Sequence, residues 1–550
     1  MWEKLGIMSF WNNFRKTNAE KSIHNENFDK YMYVINNTAV LKLVYALGIF
    51  TWFLSLYGHI MFLNLNIYYW IIFGPFIFIL SCYYLIIYLI NFFYQTPDLK
   101  YHKNLVNFFT SNKSSAPSVD IFLPVCGESR QIINRTWLSV SNIDYPNYKV
   151  FVLDDKGDLE LENLAKEYGF EYLSRPNKGE MKKAGNLKYG FERTSGEYIV
   201  VFDADFAPLP EFLNETVPHM ILDKNVGILQ TPQYFEIHKN LHKKSWLEYG
   251  AVATQEDFYR IIQVARNSFG GAICVGTNAV YRRSSLDKFG GTYQIEHSED
   301  VWTGVMMLQN KFKIKYIPYI LAQGYCPDDF ISFFKQQYRW CKGSMSLLFS
   351  STFWKLKIPF QTRLSYISGF LYFIHAAFPS FLSVIGFVAL ANHFENITIW
   401  YTVPFLPFLF FSFFILPLTR LHNIKIGVFI ASFAALCAYT LALFHTIFKT
   451  NMSWQPTGQK NVNNYWFNFV YVLNAVFISA YALAVGIFFS QGRILINDYE
   501  YYGIIFWIVY NISMYTLYLF VAGKDAYGRN FKLEFPDSVV KLATSFRQLF

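Results

Sequence analysis

Long apolar stretches on both sides of the chain enclose a central part in which short apolar runs alternate with polar ones. Near the start, residues 39–57 and 67–93 are each long enough to cross a hydrocarbon core of roughly 30 Å. The connection between them, residues 58–66, has no Lys or Arg, whereas both outer flanks do. Because basic loops stay in the cytosol, we predict a transmembrane hairpin (39–93) with residues 1–38 and the central part on the cytosolic side.

Residues 97–327 have the pattern of an α/β domain. Short β-branched or aromatic runs at 119–125, 149–153, 197–202 and 226–230 alternate with polar stretches of helical character. That alternation predicts a mostly parallel sheet that is covered by helices and inserted between α-helical membrane segments. In such a sheet, ligands bind at the carboxyl ends of the strands.

The joint between this domain and the next membrane segment is a predicted amphipathic helix within residues 328–357. One of its faces is cationic and the neighbouring face holds a Gln, a Trp and a Gly; the residues are Lys335, Arg339 and Lys342, then Gln336, Trp340 and Gly343. Three aromatic residues are expected to lie in the membrane interface, namely Phe330, Phe333 and Phe334. The cationic stripe suits an anionic leaving group, but an ordinary interfacial helix whose cations meet lipid phosphate explains it equally well.

Five further apolar runs follow, at about residues 364–391, 399–418, 426–448, 465–489 and 501–521. If all five crossed the bilayer, the basic residues Lys449 and Lys460 would lie outside, which contradicts the usual charge bias. We therefore predict that 426–448 lies along the interface and that the channel region, 364–521, contributes four spans to a total of six. The tail, residues 522–550, is then cytosolic like the N-terminus.

The composition limits the classes of partner. At 53% hydrophobic and 16% charged residues, the chain is too apolar for one soluble globule and too polar in its centre for a protein confined to the membrane. The formal net charge of +9 is modest for 550 residues and is not gathered into a stripe, so we expect no nucleic-acid partner. Lipid headgroups and phosphorylated substrates are the expected anions. Six cysteines without a Cys-x-x-Cys pair indicate neither zinc nor a disulfide framework.

Acidic residues stand where strands are predicted to end. Asp154 and Asp155 close one strand, and Asp203 and Asp205 follow another. Two carboxylates one residue apart can hold a hard divalent cation, which can neutralise a diphosphate, although a solvated turn is the commoner reason for such a pair. Further on, Ser298 is expected to cap a helix whose first turn holds Glu299 and Asp300, and capping alone would explain those residues.

The order of these motifs resembles that of the processive, membrane-embedded glycosyltransferases of family 2, most closely the cellulose synthases and cellulose synthase-like β-glucan synthases. The resemblance extends from about residue 119 to residue 460. It implies a GT-A-type domain and a nucleotide-sugar site formed by Asp154, Asp155, Lys183, Asn186, Asp203, Asp205, Gln336 and Arg339. It also implies Mg²⁺ or Mn²⁺ on Asp203 and Asp205, and a catalytic pair in which Asp300 is the general base beside Glu299. The implied acceptor site consists of Trp340, Cys274, Gly276 and Thr277. Residues 449–462 resemble the gating loop, with Trp454, Thr457 and Lys460 as its active side chains.

The function implied by this resemblance is a processive, inverting transfer of glucose from UDP-glucose to a β-glucan, cellulose-like or capsular, that is secreted through the protein's own channel. The expected partners are UDP-glucose, the nascent polysaccharide and the lipid bilayer of the plasma membrane, with the oligomeric state left open. A chitin-, hyaluronan- or poly-GlcNAc-type synthase that uses UDP-GlcNAc shares nearly all of these features. A non-processive lipid-linked glycosyltransferase shares the domain and the acidic motif. A transporter or receptor does not explain three carboxylate motifs in this order.

The predicted topology can be tested by site-directed labelling. Single cysteines introduced into a Cys-free protein at Asn451 and Lys460 should react with an impermeant thiol reagent from the cytosolic side only, because the interfacial placement of 426–448 keeps the following loop in the cytosol. Labelling from outside would instead mean that all five apolar runs cross the membrane.

Overall fold

The computed structural model describes residues 28–111, 116–236, 246–327, 329–377, 393, 398–422, 425–450, 452, 465–492 and 502–527. The predicted gating-loop residues Trp454, Thr457 and Lys460 lie outside the described residues, so their role stays a prediction. The same holds for the tail from residue 528 onward and for most of residues 1–38.

Two sheets form the centre of the α/β domain. The ten strands are β1 (Val119–Val125), β2 (Tyr148–Asp154), β3 (Glu171–Ser174), β4 (Tyr198–Val201), β5 (Phe206–Pro208), β6 (Val226–Gln230), β7 (Tyr234–Glu236), β8 (Ala279–Arg282), β9 (Lys313–Tyr316) and β10 (Ala322–Tyr325). Seven of them form one sheet in the order β3-β2-β1-β4-β8-β6-β9, and the other three form a small sheet in the order β5-β10-β7. In the large sheet only β8 runs antiparallel to its two neighbours. The predicted fold class, an α/β domain between membrane helices, is confirmed.

The strands follow the pattern that predicted them. All seven residues of β1 are buried, as expected for a central strand that is covered by helices on both faces. Its apolar residues pack with those of β2 and β4 in one continuous core. Because β1 pairs in parallel with both β2 and β4, the carboxyl ends of these three strands meet at one edge of the sheet.

Helices surround this domain and continue on both sides of it. Up to the joint they are α1 (Thr38–Leu63), α2 (Ile67–Ile72), α3 (Gly74–Phe92), α4 (Leu99–Thr110), α5 (Arg130–Ser141), α6 (Leu159–Glu167), α7 (Lys182–Phe191), α8 (Phe212–Leu222), α9 (Trp246–Asp257), α10 (Gln263–Ser268), α11 (Arg283–Leu286) and α12 (Glu299–Gln309). From the joint onward they are α13 (Phe330–Leu348), α14 (Ser351–Lys355), α15 (Phe360–Ala377), α16 (Leu406–Phe410), α17 (Ile426–Ile447), α18 (Tyr465–Ser490) and α19 (Tyr502–Tyr527). A π-helical turn, Phe258–Ile262, joins α9 to α10.

Six helical stretches within the described residues are long and apolar enough to cross a membrane, which makes the chain a multi-pass membrane protein. They are Thr38–Leu63, Gly74–Phe92, Ile399–Thr419, Ile426–Ile447, Tyr465–Ser490 and Ile505–Asp525. One of them, α17, differs from the rest because 67% of its apolar window is buried inside the protein, against 39% or less for the others. It packs against α13 and α9. Its predicted interfacial position is consistent with this packing and stays a prediction.

The expected membrane contact of the joint helix is wrong. Phe330, Phe333 and Phe334 on α13 are almost completely buried inside the protein and do not face lipid. Phe334 packs edge-on against Phe467 of α18, with ring centroids 5.5 Å apart. An apolar face satisfies its hydrophobic requirement equally well on lipid or on another apolar helix, and here other helices cover it.

A second attachment between the α/β domain and the membrane helices is polar. Glu256, at the end of α9, accepts hydrogen bonds from the backbone N–H groups of Leu421 (2.6 Å) and His422 (3.0 Å) and contacts His422 Nδ1 (2.7 Å). Arg260 in the π-helical turn pairs with Glu256 at 3.3 Å and also donates to the carbonyl of Thr419. Burial alone would raise the pKa of Glu256, but His422 and Arg260 lower it to about 2. This carboxylate therefore joins the domain to the chain that follows the Ile399–Thr419 segment.

Loss of the Glu256 carboxylate should destabilise the protein strongly. The variant Glu256→Ala removes the carboxylate that pairs with buried Arg260 and accepts from a buried and a partly buried N–H group. We expect this loss to cost roughly 3–5 kcal/mol and to lower the midpoint of thermal unfolding in detergent. As a control, Glu162→Ala removes an exposed pair with Lys166 and should cost less than about 0.5 kcal/mol. Equal midpoints of thermal unfolding for both variants would show that the Glu256 contacts do not stabilise the protein. Because the pKa of Glu256 is lowered to about 2, the stability that its contacts give the wild-type protein is fully present above the ordinary pKa of 4.5. It is lost only as the pH falls towards about 2.

Candidate active site

The predicted acidic motifs meet at the edge where β2, β1 and β4 end. Asp154 is the last residue of β2, and Asp203 and Asp205 lie in the turn between β4 and β5. Cys126 and Glu128 follow β1, which lies between those two strands. The sequence therefore placed these carboxylates correctly at one sheet edge, as the rule for parallel sheets requires.

Lys183, on the first turn of α7, is the centre of the charge cluster. Its ammonium forms an ion pair with Asp203, donates to the carbonyl of Gly276 at 2.9 Å and lies 3.8 Å from Glu299. Burial alone would lower the pKa of Lys183, but the charges of Asp203 and Glu299 raise it above its ordinary value. Lys183 is therefore positively charged, and it holds three separate parts of the chain together.

The carboxylates of Asp203 and Asp205 repel each other. Burial, with the charge of Asp203, raises the pKa of Asp205 to about 7. Such a pair fits a divalent cation, because a bound cation would remove the repulsion that raises this pKa. Among the described residues no group of three or more His, Cys, Asp or Glu side chains could hold a metal. Mg²⁺ is usually held by one or two carboxylates together with phosphate oxygens and water, so two carboxylates are enough for such a site.

The third acidic motif lies opposite Lys183 at the start of α12. Burial, followed by the charge of Glu299, raises the pKa of Asp300. Gly276, whose φ is +81°, leaves the space that Asp300 occupies, since a Cβ on Gly276 would lie 2.9 Å from Asp300 Oδ2. A carboxylic acid in such a site can exchange a proton near neutral pH.

Ser298 precedes α12, but the predicted side-chain cap is wrong. Ser298 has left-handed backbone angles (φ 57°, ψ 43°), and its side chain makes no capping hydrogen bond. Its side chain instead lies against Gly343 of α13, where any Cβ would collide with the Ser298 side chain. A second contact between these helices is the hydrogen bond from Trp302 Nε1 to Ser346 Oγ, at 3.2 Å.

The Ser298 contact fixes which face of α13 looks towards the carboxylates. Gln336, Trp340 and Gly343 share one helix face by their spacing of four and three residues, so the face that meets Ser298 also carries Gln336 and Trp340. Arg339 is next to this face. Burial lowers the pKa of Arg339, and the charges of Asp205 and Asp203 oppose that change, which places its guanidinium within electrostatic reach of both carboxylates.

Asp154 and Asp155 both bind other parts of the chain. Asp154 is fully buried and accepts from the backbone N–H groups of Lys156 (2.8 Å) and Asp158 (2.7 Å). Asp155 forms a bidentate ion pair with the buried guanidinium of Arg175 and accepts a hydrogen bond from Gly179 N at 3.0 Å. Both carboxylates thus hold the loops at this edge of the sheet, and the nucleotide contact predicted for them stays a prediction.

Asn186 also serves the framework. Its Nδ2 donates to the carbonyl of Leu153 at 2.7 Å, and the side chain is buried. This bond fastens α7 to the end of β2. Lys183 lies on the same helix, and the nucleotide contact predicted for Asn186 stays a prediction.

Two predicted acceptor residues are buried behind the site. Cys274 is fully buried, and its thiol lies 3.1 Å from the hydroxyl of Tyr281. Thr277 Oγ1 accepts from the backbone N–H of Asp203 at 2.9 Å. Their side chains therefore position the acidic turn and the core, while the backbone at Gly276 borders Asp300.

Glu128 belongs to the cluster and was not singled out in the sequence. Burial raises the pKa of Glu128, and its carboxylate interacts electrostatically with Asp203 and Lys156. It accepts from Cys126 N at 2.7 Å, which closes the turn after β1. The sequence could have indicated Glu128, because this residue follows β1, and β1 lies between the two strands that carry the acidic motifs.

Part of the chain is similar in sequence to known proteins. The sequence model described as "Glycosyl transferase family 2" matches residues 120–290. The chain is 30% identical over 239 residues to "Cellulose synthase 1 catalytic subunit [UDP-forming]" of Komagataeibacter xylinus, covering 43% of this chain and 32% of that protein. It is 26% identical over 263 residues to "Cellulose synthase catalytic subunit [UDP-forming]" of Xanthomonas axonopodis pv. citri, covering 47% and 36%. The chain thus spans about a third of the length of these relatives.

A solved structure resembles part of the chain. It is a mannosyltransferase of Pyrobaculum calidifontis in complex with GDP-Man and Mn²⁺, matched with a TM-score of 0.46 and 14% identity. The match covers 69% of this chain and 99% of that protein.

The contact between α13 and Ser298 predicts a pair of compensating substitutions. Gly343→Ala should displace Ser298 and the carboxylates that follow it, and a shift of about 1 Å at a catalytic group can lower activity by about 10²-fold. Adding Ser298→Gly removes the colliding side chain, and glycine adopts φ 57° without strain, so the double variant should recover most of the lost activity.

Ser298→Gly alone is the matched control and should remain near wild type in sugar transfer. Full activity of Gly343→Ala, or a double variant as poor as the single one, would show that this contact does not position the carboxylates.

Proposed function

We propose that this chain, which carries a family 2 glycosyltransferase domain and is homologous to bacterial cellulose synthase catalytic subunits, polymerises glucose from UDP-glucose into a β-glucan. The observation that carries the proposal is the contact between the two halves of the site. The face of α13 with Gln336 and Trp340 meets Ser298, directly before Glu299 and Asp300. A motif that begins the channel region and a carboxylate suited to proton transfer thus share one site.

The reaction needs a base, and Asp300 is the residue we assign. Its carboxylate takes the proton of an acceptor hydroxyl as that oxygen forms a bond to the anomeric carbon of the donor. The bond between the anomeric carbon and the diphosphate oxygen breaks on the opposite side, and UDP leaves with the bonding electrons. A single displacement of this kind inverts an α-linked donor to a β-linked product.

The leaving diphosphate needs positive charge. Arg339 lies within electrostatic reach of Asp203 and Asp205, and the partly buried ammonium of Lys183 is paired with Asp203. A Mg²⁺ or Mn²⁺ ion held by Asp203 and Asp205 would mask the charge that develops on the diphosphate. Trp340, on the face of α13 that meets Ser298, offers an aromatic surface for the apolar face of the acceptor pyranose.

The membrane helices complete the proposal. The α/β domain and both termini face the cytosol, where nucleotide sugars are made, and the polymer leaves through the helices of the 364–521 region in the plasma membrane. The attachment of α13 to α17, α18 and α19 supports this path, because it joins the acceptor end of the site directly to membrane helices. In particular, Asp525 near the end of α19 accepts from Phe330 N at 2.8 Å, at the first residue of α13.

The direct test is an assay of the purified protein with defined donors. The protein in lipid nanodiscs is given UDP-glucose or UDP-GlcNAc with Mg²⁺ or Mn²⁺, and the product is digested with linkage-specific glucanases and chitinase. We expect a glucanase-sensitive polymer from UDP-glucose and none after EDTA or in Asp205→Asn. A chitinase-sensitive product from UDP-GlcNAc would assign the alternative donor, and a single sugar transferred to lipid would exclude a polymer synthase.

The base can be tested separately from binding. Asp300→Asn should lower transfer by at least about 10²-fold while leaving UDP affinity nearly unchanged, because the amide keeps the shape but cannot take a proton. In the wild type, the raised pKa of Asp300 means that transfer should fall as pH drops below neutrality, since only the ionised base is active. Near-wild-type polymer synthesis by Asp300→Asn, or a pH-independent rate, would contradict the assignment.

A further inference from the structure

The segment 273–277 lies against Lys183 and Asp300 but belongs to no strand, since β8 begins only at Ala279. The carbonyl of Gly276 accepts from Lys183 Nζ at 2.9 Å, and a Cβ on Gly276 would lie 2.9 Å from Asp300 Oδ2. Because the segment forms no strand pairing within the described residues, its backbone N–H and C=O groups need other partners.

Two buried glutamine side chains take the place of a neighbouring strand. Gln263, the first residue of α10, accepts from Ile273 N at 3.1 Å and donates to Ile273 O at 2.8 Å. Gln230, the last residue of β6, accepts from Val275 N at 2.9 Å and donates to Thr277 O at 2.8 Å. Each side-chain amide thus uses both its oxygen and its nitrogen on the backbone of this segment.

A third glutamine is itself held in place. Gln233 Nε2 donates to Val275 O at 3.1 Å, and the hydroxyl of Tyr259 donates to Gln233 Oε1 at 2.8 Å. Tyr259 lies in the π-helical turn, whose next residue, Arg260, pairs with Glu256. Single π-helical turns inside helices are frequent at functional sites, and this one directs a tyrosine hydroxyl at the amide that binds the segment.

The backbone groups that the glutamines bind belong to alternate residues, namely 273, 275 and 277. The carbonyl of Gly276, between the last two, is bound by Lys183 instead. The segment ends at β4, because Asn278 N donates to the carbonyl of Val201 at 2.9 Å. The segment is therefore tied to the framework of the domain on one side and reaches the charge cluster on the other.

Stability alone would explain why buried backbone groups have partners. The Gly276 carbonyl has a further effect, because it is the neutral partner of an ammonium that also meets the carboxylates of Asp203 and Glu299. The strength of an ion pair depends mainly on distance, whereas a hydrogen bond to a carbonyl also depends on direction. A displaced Gly276 would therefore turn the Lys183 ammonium and open space beside Asp300.

We propose that Gln230, Gln233 and Gln263 are positioning residues of the active site. They hold residues 273–277 so that the Gly276 carbonyl orients Lys183 and the Gly276 backbone stays against Asp300. The glutamines act through this segment and need no contact with the substrate. The consequence for sugar transfer rests on the proposed function.

A pair of matched Tyr→Phe variants tests the positioning in the full-length protein. Tyr259→Phe removes the hydroxyl that orients Gln233, and losing one hydrogen bond corresponds to roughly fivefold, so we expect kcat to fall by about that factor with UDP affinity nearly unchanged. Hydrogen–deuterium exchange within 273–277 should become faster. The control, Tyr198→Phe, removes an equally buried hydroxyl that accepts from Arg282 and should leave both kcat and this exchange near wild type.

The variant Gln263→Glu tests the amide pair through its protonation. A protonated carboxylic acid can accept from Ile273 N and donate to Ile273 O as the amide does, whereas a carboxylate has no donor and repels the Ile273 carbonyl. The ratio of the variant's rate to the wild-type rate should therefore approach one at low pH. As the pH rises, the ratio should fall by up to about 10²-fold, the effect of misplacing a catalytic group.

Hydrogen–deuterium exchange separates this inference from the proposed function, because it needs no sugar transfer. If wild type makes no β-glucan but 273–277 exchanges faster in Tyr259→Phe than in Tyr198→Phe, the proposed function fails and the positioning by the glutamines stands. If wild type makes the polymer and Tyr259→Phe matches Tyr198→Phe in kcat or in exchange, the glutamines do not position the site. A pH-independent rate ratio for Gln263→Glu would also overturn the inference.

Discussion

The ammonium group of Lys183 is the interaction on which the site depends. It pairs with Asp203, reaches the carbonyl of Gly276 at 2.9 Å and lies 3.8 Å from Glu299. These partners come from the end of β4, from the loop before β8 and from the start of α12. Without the Lys183 cation among them, the carboxylates would repel each other, and either the turn or the helix would have to move apart.

The framework around that cation explains why the strands were easier to predict than the site. The fully apolar run of β1 and the alternation of strands and helices determine a parallel sheet, and the edge rule then places Asp203 and Asp205 correctly. Whether a carboxylate at that edge is available cannot be seen in the pattern. Asp155 is occupied by Arg175, twenty residues later in the chain, and a single sequence gives no sign of that pairing.

Similar limits apply to the joint helix. The periodicity of α13 predicted a helix with an apolar face, and the structure contains that helix. Periodicity cannot distinguish lipid from a neighbouring apolar helix, so Phe334 was assigned to the bilayer although it packs on Phe467. The position of Ser298 was predictable, but its left-handed backbone and its contact with Gly343 depend on a helix that begins about thirty residues later.

The crossing of α9 and α17 is a contact of backbone with backbone. At Gly250 and Gly427 a Cβ would collide with a backbone carbonyl of the other helix, so the two backbones touch with no side chain between them. A crossing of this kind sets the spacing between the catalytic domain and α17 by van der Waals contact between backbone atoms, which does not vary with side-chain volume. In homologous sequences, a bulkier residue at either position would therefore mark a protein in which α17 is seated differently on the domain. Those two positions report the geometry of the joint even where overall identity is low.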